Sequence, residues 1–137
     1  MDALTAHVQG RIGEAFEWGK CDCLTFANEA LRAHLGHGPF DQFIPHHYDN
    51  IGEAIRIYAS WQKRSPGGIV QNADELWRRE FTLYPAHGMI VGRPVENGRP
   101  LAFSFGVVVN GMCAMVSQEK GVAIVPPVVQ DMFWRVT

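Results

Sequence analysis

At Pro85 the chain changes its period. Before it, apolar residues recur every three or four positions. After it, they come in short runs separated by Gly- and Asn-containing turns. Helices first and an antiparallel meander afterwards predict an α+β domain, with N-terminal helices packed on one side of a small antiparallel sheet.

Asp22 to Leu35 is the clearest helix. Asp22 is a good N-cap, because its carboxylate can accept the unpaired N–H groups of the first turn. Leu24, Ala27, Leu31 and Leu35 mark one face, and Gly36, Gly38 and Pro39 supply the stop. A weaker helical period covers residues 2–15 through Leu4, Val8 and Ile12. Another covers Ile51 to Lys63, with Ile51, Ile55 and Tyr58 or Ala59 on one side. "SPGG" at 65–68 reads as a break, followed by a short helix from Asn72 to Arg79 with Ala73, Leu76 and Trp77 as apolar positions. Beyond Pro85, "GMIVGRPV" reads as a strand, Asn97-Gly98 as a tight hairpin turn and "LAFSFGVVVNG" as the return strand. "MCAMVS", "GVAIVPP" and "MFWRVT" complete the meander.

At 137 residues the chain is about one domain's worth, read here as a single domain over 1–137. A net charge of −2 argues against nucleic acid as the main partner, since phosphate binders display a basic patch. No apolar run reaches the ~18 residues of a membrane span. The N-terminus lacks the charged start and apolar stretch of a signal peptide. Three cysteines, an odd count, do not suit a secreted disulfide scaffold. The expected site of synthesis is a reducing cytoplasm, with free thiols.

The chemistry-bearing stretch is "EWGKCDCLTF", Glu17 to Phe26. Cys23 falls in the first turn of the predicted helix, where the positive end of the dipole favours a thiolate. Ala27 and Ala30 are small and would let a sheet approach the sulfur. Gly19 allows a tight turn into the helix. The layout is that of papain-type enzymes, with a nucleophile at a helix N-terminus and a base delivered from a packed sheet. The competing reading of Cys23 is a small buried residue. A metal clamp by Cys21 and Cys23 is disfavoured: zinc sites space two thiolates by two to four residues, and adding His46 and His47 asks adjacent histidines to point the same way. No metal or cofactor is expected. Cys113 reads as a strand core residue.

"FEWGKCDCLTF" resembles the nucleophile motif of the NlpC-type cysteine peptidases, which have a trimmed papain-like fold. Phe16, Trp18, Gly19, Asp22, Cys23 and Phe26 carry the match. The resemblance is closer still to a compact branch often encoded in phage and prophage tail regions, running from an "F-x-WG-x-x-DC" start to an aromatic-Trp-Arg-Val end; here the end is "FWRVT", Phe133 to Thr137. It implies Cys23 in the nucleophile's place. The family's general base is a histidine opening the second core strand, and here that stretch is "SFGVVVNG", so Ser104 holds the place. Serine cannot take a thiol proton near neutral pH. The third, orienting position falls near Val116 or Ser117, of which only Ser117 is polar.

Other histidines offer little. With Val91 opposite Ser104 in a hairpin centred on Asn97-Gly98, His87 lies roughly 14 Å along the strand at ~3.4 Å per residue. His34 is about three turns along the cysteine's own helix. His46 and His47 lie on a loop that could fold over the site, although "HHYDN" also reads as an exposed loop capping the next helix through Asp49 or Asn50. Trp77 and Trp134 read as core, and Trp18 as a residue that could line a groove beside the cysteine turn. The resemblance implies two functions beside that of a cytoplasmic prophage protein that merely binds a small peptide. In one, the chain is a degenerate NlpC-like component with a structural or peptide-binding role in a phage tail tip or in tail assembly, with other tail proteins as partners and the virion as its destination. In the other, it is an active hydrolase of cell-wall peptides, using Cys23 and a base from His46, His47 or a partner protein.

Overall fold

A computed structural model describes residues 1–95 and 103–136. It has four α-helices, α1 Ala3–Gln9, α2 Cys23–Leu35, α3 Ile51–Gln62 and α4 Gly68–Leu76, with a 3-10 turn at Asp41–Phe43. Six strands follow: β1 Arg78–Glu80, β2 Ile90–Pro94, β3 Phe103–Val109, β4 Met112–Ser117, β5 Gly121–Val125 and β6 Met132–Arg135. They form one antiparallel sheet in the order β1-β6-β2-β3-β4-β5. The class is α+β with helices preceding the sheet, as the change at Pro85 predicts.

Each helix has a local cause. Asp2 caps α1 by accepting from the Thr5 amide, and Asn50 caps α3 by accepting from the Glu53 amide. Gly36 ends α2 in a left-handed conformation, φ 87°. Ala27 and Ala30 are fully buried and bring α2 close to β3. The main core fills this helix–sheet interface with Phe26, Phe40, Trp61, Phe105 and Trp134. A smaller cluster of Met89, Val91, Val108, Cys113, Met115 and Phe133 lies apart from it, so β2, β3 and β4 are apolar on successive residues rather than alternating.

Three expectations change. The buried face of α3 is Ala54, Ile57, Tyr58 and Trp61, while Ile51 and Ile55 are exposed. Trp61 sets this orientation, stacking at 4.0 Å on Phe43 and donating to Asn72. The break at 65–68 does not precede the next helix but starts it: the Gly68 amide closes a turn onto the Ser65 carbonyl at φ 77°, and α4 runs from there. That helix then stops at Leu76, because Arg78, Arg79 and Glu80 pair with Arg135, Trp134 and Phe133 as β1, a strand the helical period of 72–79 conceals. Lastly, Ser104 pairs with Arg93, not Val91, a register shifted by two residues. Asn97 and Gly98 themselves lie outside the described residues.

A candidate site at the N-terminus of the second helix

Asp22 organises the turn into α2. Its Oδ1 accepts from the Thr25 amide at 2.9 Å, and the Thr25 hydroxyl accepts from the Asp22 amide at 3.1 Å, a reciprocal capping box. Its Oδ2 accepts from the Gly19 amide at 2.8 Å and from the Tyr48 hydroxyl at 2.6 Å. The carboxylate is buried and spent on bonds within the chain. Gly19 has φ 79°, and a Cβ there would lie 1.5 Å from the Tyr48 carbonyl oxygen. Only glycine lets the loop carrying Tyr48 close on this turn.

Cys23 is the first residue of α2 and is 8% exposed. Its sulfur lies 3.2 Å from the Tyr58 hydroxyl, delivered by α3. Ser104 and Phe105 of β3 also lie near the sulfur and act on its titration. Burial pushes the thiol's pKa up, and the neighbouring Asp22 charge adds to this; Tyr58, Phe105 and Ser104 oppose it without overcoming it. Desolvation therefore outweighs the helix dipole that favours a thiolate here.

The groups facing the sulfur are hydroxyls. Burial, then the proximity of Cys23, holds the Tyr58 proton far more tightly than in a free tyrosine. Tyr48 is shifted the same way by burial and by Asp22. A general base must titrate near the working pH, and neither tyrosine nor Ser104 does. The site as built stores a neutral, hydrogen-bonded thiol.

The predicted histidines stand elsewhere. His46 is exposed and pairs with Glu53 at 3.2 Å; His47 is exposed. Their loop does fold over the α2 turn, but the side chain it delivers is Tyr48. His87 accepts from the Asn110 amide through Nδ1 at 3.0 Å and meets Asp2 at 2.7 Å through Nε2, beyond the far end of β3 from Ser104. His34 packs edge-on to the His87 ring. Among the described residues no histidine hydrogen-bonds to Cys23. Ser117 is exposed at the end of β4, where its hydroxyl accepts from the Lys120 amide in the β4–β5 turn; nothing joins it to Ser104.

The two thiols of the Cys-Asp-Cys run face different surroundings. Cys21 is buried beside Glu14 and Arg11, and burial, then the bond to Glu14, push its pKa up to about 11. Among the described residues no three His, Cys, Asp or Glu side chains converge in a way that could hold a metal ion. Cys113 is fully buried, with its sulfur 3.9 Å from Asp131. Trp18 is half-buried against the main core, its ring edge-on to Phe16 at 4.6 Å. Among the described residues no helix is long and apolar enough to cross a membrane. The two residues that sequence reasoning passes over are Tyr58 and Tyr48. Tyr58 is legible only as an apolar position of α3, and the "HHYDN" motif draws the eye to its histidines.

A family model described as "Domain of unknown function (DUF6950)" matches residues 1–136. No curated protein and no solved structure matches the chain.

Proposed function

The chain belongs to the DUF6950 family of domains of unknown function, and we propose that it is an NlpC-like domain whose nucleophile seat serves structure rather than catalysis. Its role is that of a phage or prophage tail-associated component, at the tail tip or in tail assembly. Two things support the domain type: the Trp-Gly and Asp-Cys residues of the opening motif, and the helix-before-sheet order that the resemblance implies. The non-catalytic role rests on one observation. Cys23 is a buried thiol facing the Tyr58 hydroxyl at 3.2 Å, with Ser104 where the resemblance expects an imidazole.

The chemistry follows from that contact. A cysteine hydrolase needs a thiolate and a cation beside it, and later a proton donor for the leaving amine. Hydroxyls of high pKa supply neither near neutral pH. The family position of the nucleophile instead joins α2, α3 and β3 at one point, and a domain held this way presents its outer surface to partners.

The test uses the purified protein and the phage or prophage that encodes it. Cell-wall sacculi stay intact in its presence. Deleting the gene blocks tail formation or infection, while Cys23→Ala particles remain infectious. Release of cell-wall peptides that disappears with Cys23→Ala would establish the hydrolase instead. Normal tails and infection after gene deletion would remove the tail role.

A further inference from the structure

The two edges of the sheet are treated differently. The outer edge of β5 is covered: the Gly13 amide donates to the Val122 carbonyl at 2.8 Å, and the Val122 amide to the Glu14 carbonyl at 3.0 Å. The outer edge of β1 has no strand against it among the described residues. Such an edge offers a row of backbone donors and acceptors to another chain. Directly after it come Phe81, Leu83 and Tyr84, at 88%, 76% and 89% exposure, and across a groove of about 290 Å³ lies Val129 at 84%. These four side chains expose on the order of 600 Å², the top of what a monomer's largest apolar patch reaches and most of the ~800 Å² that one partner contributes to a standard interface.

We propose that this edge pairs with β1 of a second copy of the chain, antiparallel about Arg79. The charges argue for a second copy over a foreign strand. Within one chain Arg78 lies opposite Arg135, and the single Glu80 carboxylate serves both guanidiniums, accepting from Arg135 and lying 4.0 Å from Arg78. Pairing about Arg79 sets Arg78 opposite Glu80 of the copy, twice by symmetry, and supplies each Arg78 with a carboxylate. Arg79 meets its own equivalent, but it lies 3.4 Å from Asp74 of its own chain and over the Phe81 ring. The same register sets Phe81 opposite half-buried Trp77 of the copy, and brings the exposed Leu76 beside the groove. The surface is self-complementary, which a two-fold dimer requires.

Light scattering of the intact chain tests this. The expected result is a dimer at ~100 μM, well above a micromolar Kd, the weak end for an interface of this size. Arg78→Glu alone and Glu80→Arg alone each weaken the dimer tenfold or more, and mixing the two variants restores a heterodimer because each supplies the charge the other lacks. Phe81→Asp weakens it independently of the charges. Circular dichroism confirms that each variant is folded. A monomeric parent chain at that concentration overturns the proposal. So does a dimer indifferent to both Arg78→Glu and Phe81→Asp, or variants that stay monomeric when mixed.

Discussion

The Cys23 sulfur and the Tyr58 hydroxyl oxygen stand 3.2 Å apart, where α2 and α3 meet over β3. Tyr58→Phe keeps the ring and deletes only this contact. The expected loss of stability is about 1 kcal/mol, the usual worth of a buried hydrogen bond. Tyr58→Ala removes the ring as well and costs ~3–5 kcal/mol, as large aromatic truncations do. Urea unfolding midpoints check both. A Tyr58→Phe chain as stable as its parent would show that the contact contributes nothing.

Asp22 and Tyr48 form a second coupled pair. Asp22→Ala removes the α2 cap, worth ~1–2 kcal/mol, and leaves the Tyr48 hydroxyl buried without its acceptor. Tyr48→Phe loses only the bond. Combining them costs less than the sum of the single losses, because the unpaired hydroxyl is gone. A double-mutant cycle in urea reads this coupling, expected at ~1 kcal/mol or above.

Gly19→Ala tests whether the Tyr48 loop is held by close backbone approach. A Cβ at position 19 would overlap the Tyr48 carbonyl at 1.5 Å, and φ 79° is itself strained for alanine. The loop over 45–50 must lift. Limited proteolysis should cut this segment several times faster in the variant, and stability should fall by more than ~1 kcal/mol, the strain of a left-handed non-glycine residue alone. An unchanged digestion pattern would mean the loop closes without this contact.

Acid should loosen the N-terminal segment. The bond from the Arg11 guanidinium holds the Glu14 carboxyl at about 2, down from 4.5. The Thr5 amide at the α1 cap holds Asp2 at about 2, down from 3.8. Both folded values lie below the unfolded ones, so the unfolded chain takes up more protons in this window. Their contribution is whole above about 4.5 and is lost as pH falls toward about 2. The Glu14 side chain is 37% exposed and that of Asp2 51%, so solvent screening keeps the effect modest. Thermal melts should show Glu14→Gln less stable than the parent at neutral pH, with the gap closing through that window.

What the sequence discloses here divides along physical lines. The class, the Asp22 cap and the burial of Ala27 and Ala30 are legible, because they depend on local caps and period. So is the α2 stop at Gly36. β1 is not legible: Arg78, Arg79 and Glu80 are polar and follow a helical run, and only pairing with β6 makes them a strand. The orientation of α3 is not legible either, since stacking of Trp61 on Phe43 overrides the Ile51 and Ile55 period. At the site, the fold of the "HHYDN" loop decides which neighbour faces inward. One position separates His47 from Tyr48, and no spacing rule reaches that far.

Alkylation of Cys23 in the folded chain addresses the central claim directly. Iodoacetamide is added across roughly pH 6 to pH 11, spanning the ordinary thiol range, and the modified peptide is followed by mass spectrometry, with Ser104→His measured alongside. Desolvation, with the Asp22 charge beside it, predicts a parent thiol that is almost unreactive near pH 6, labelling only as pH rises past the ordinary thiol range near 9. An imidazole from Ser104→His should advance labelling to lower pH. Rapid labelling of the parent Cys23 near pH 6 would contradict the account, since it requires a thiolate of depressed pKa and a cationic partner at the sulfur.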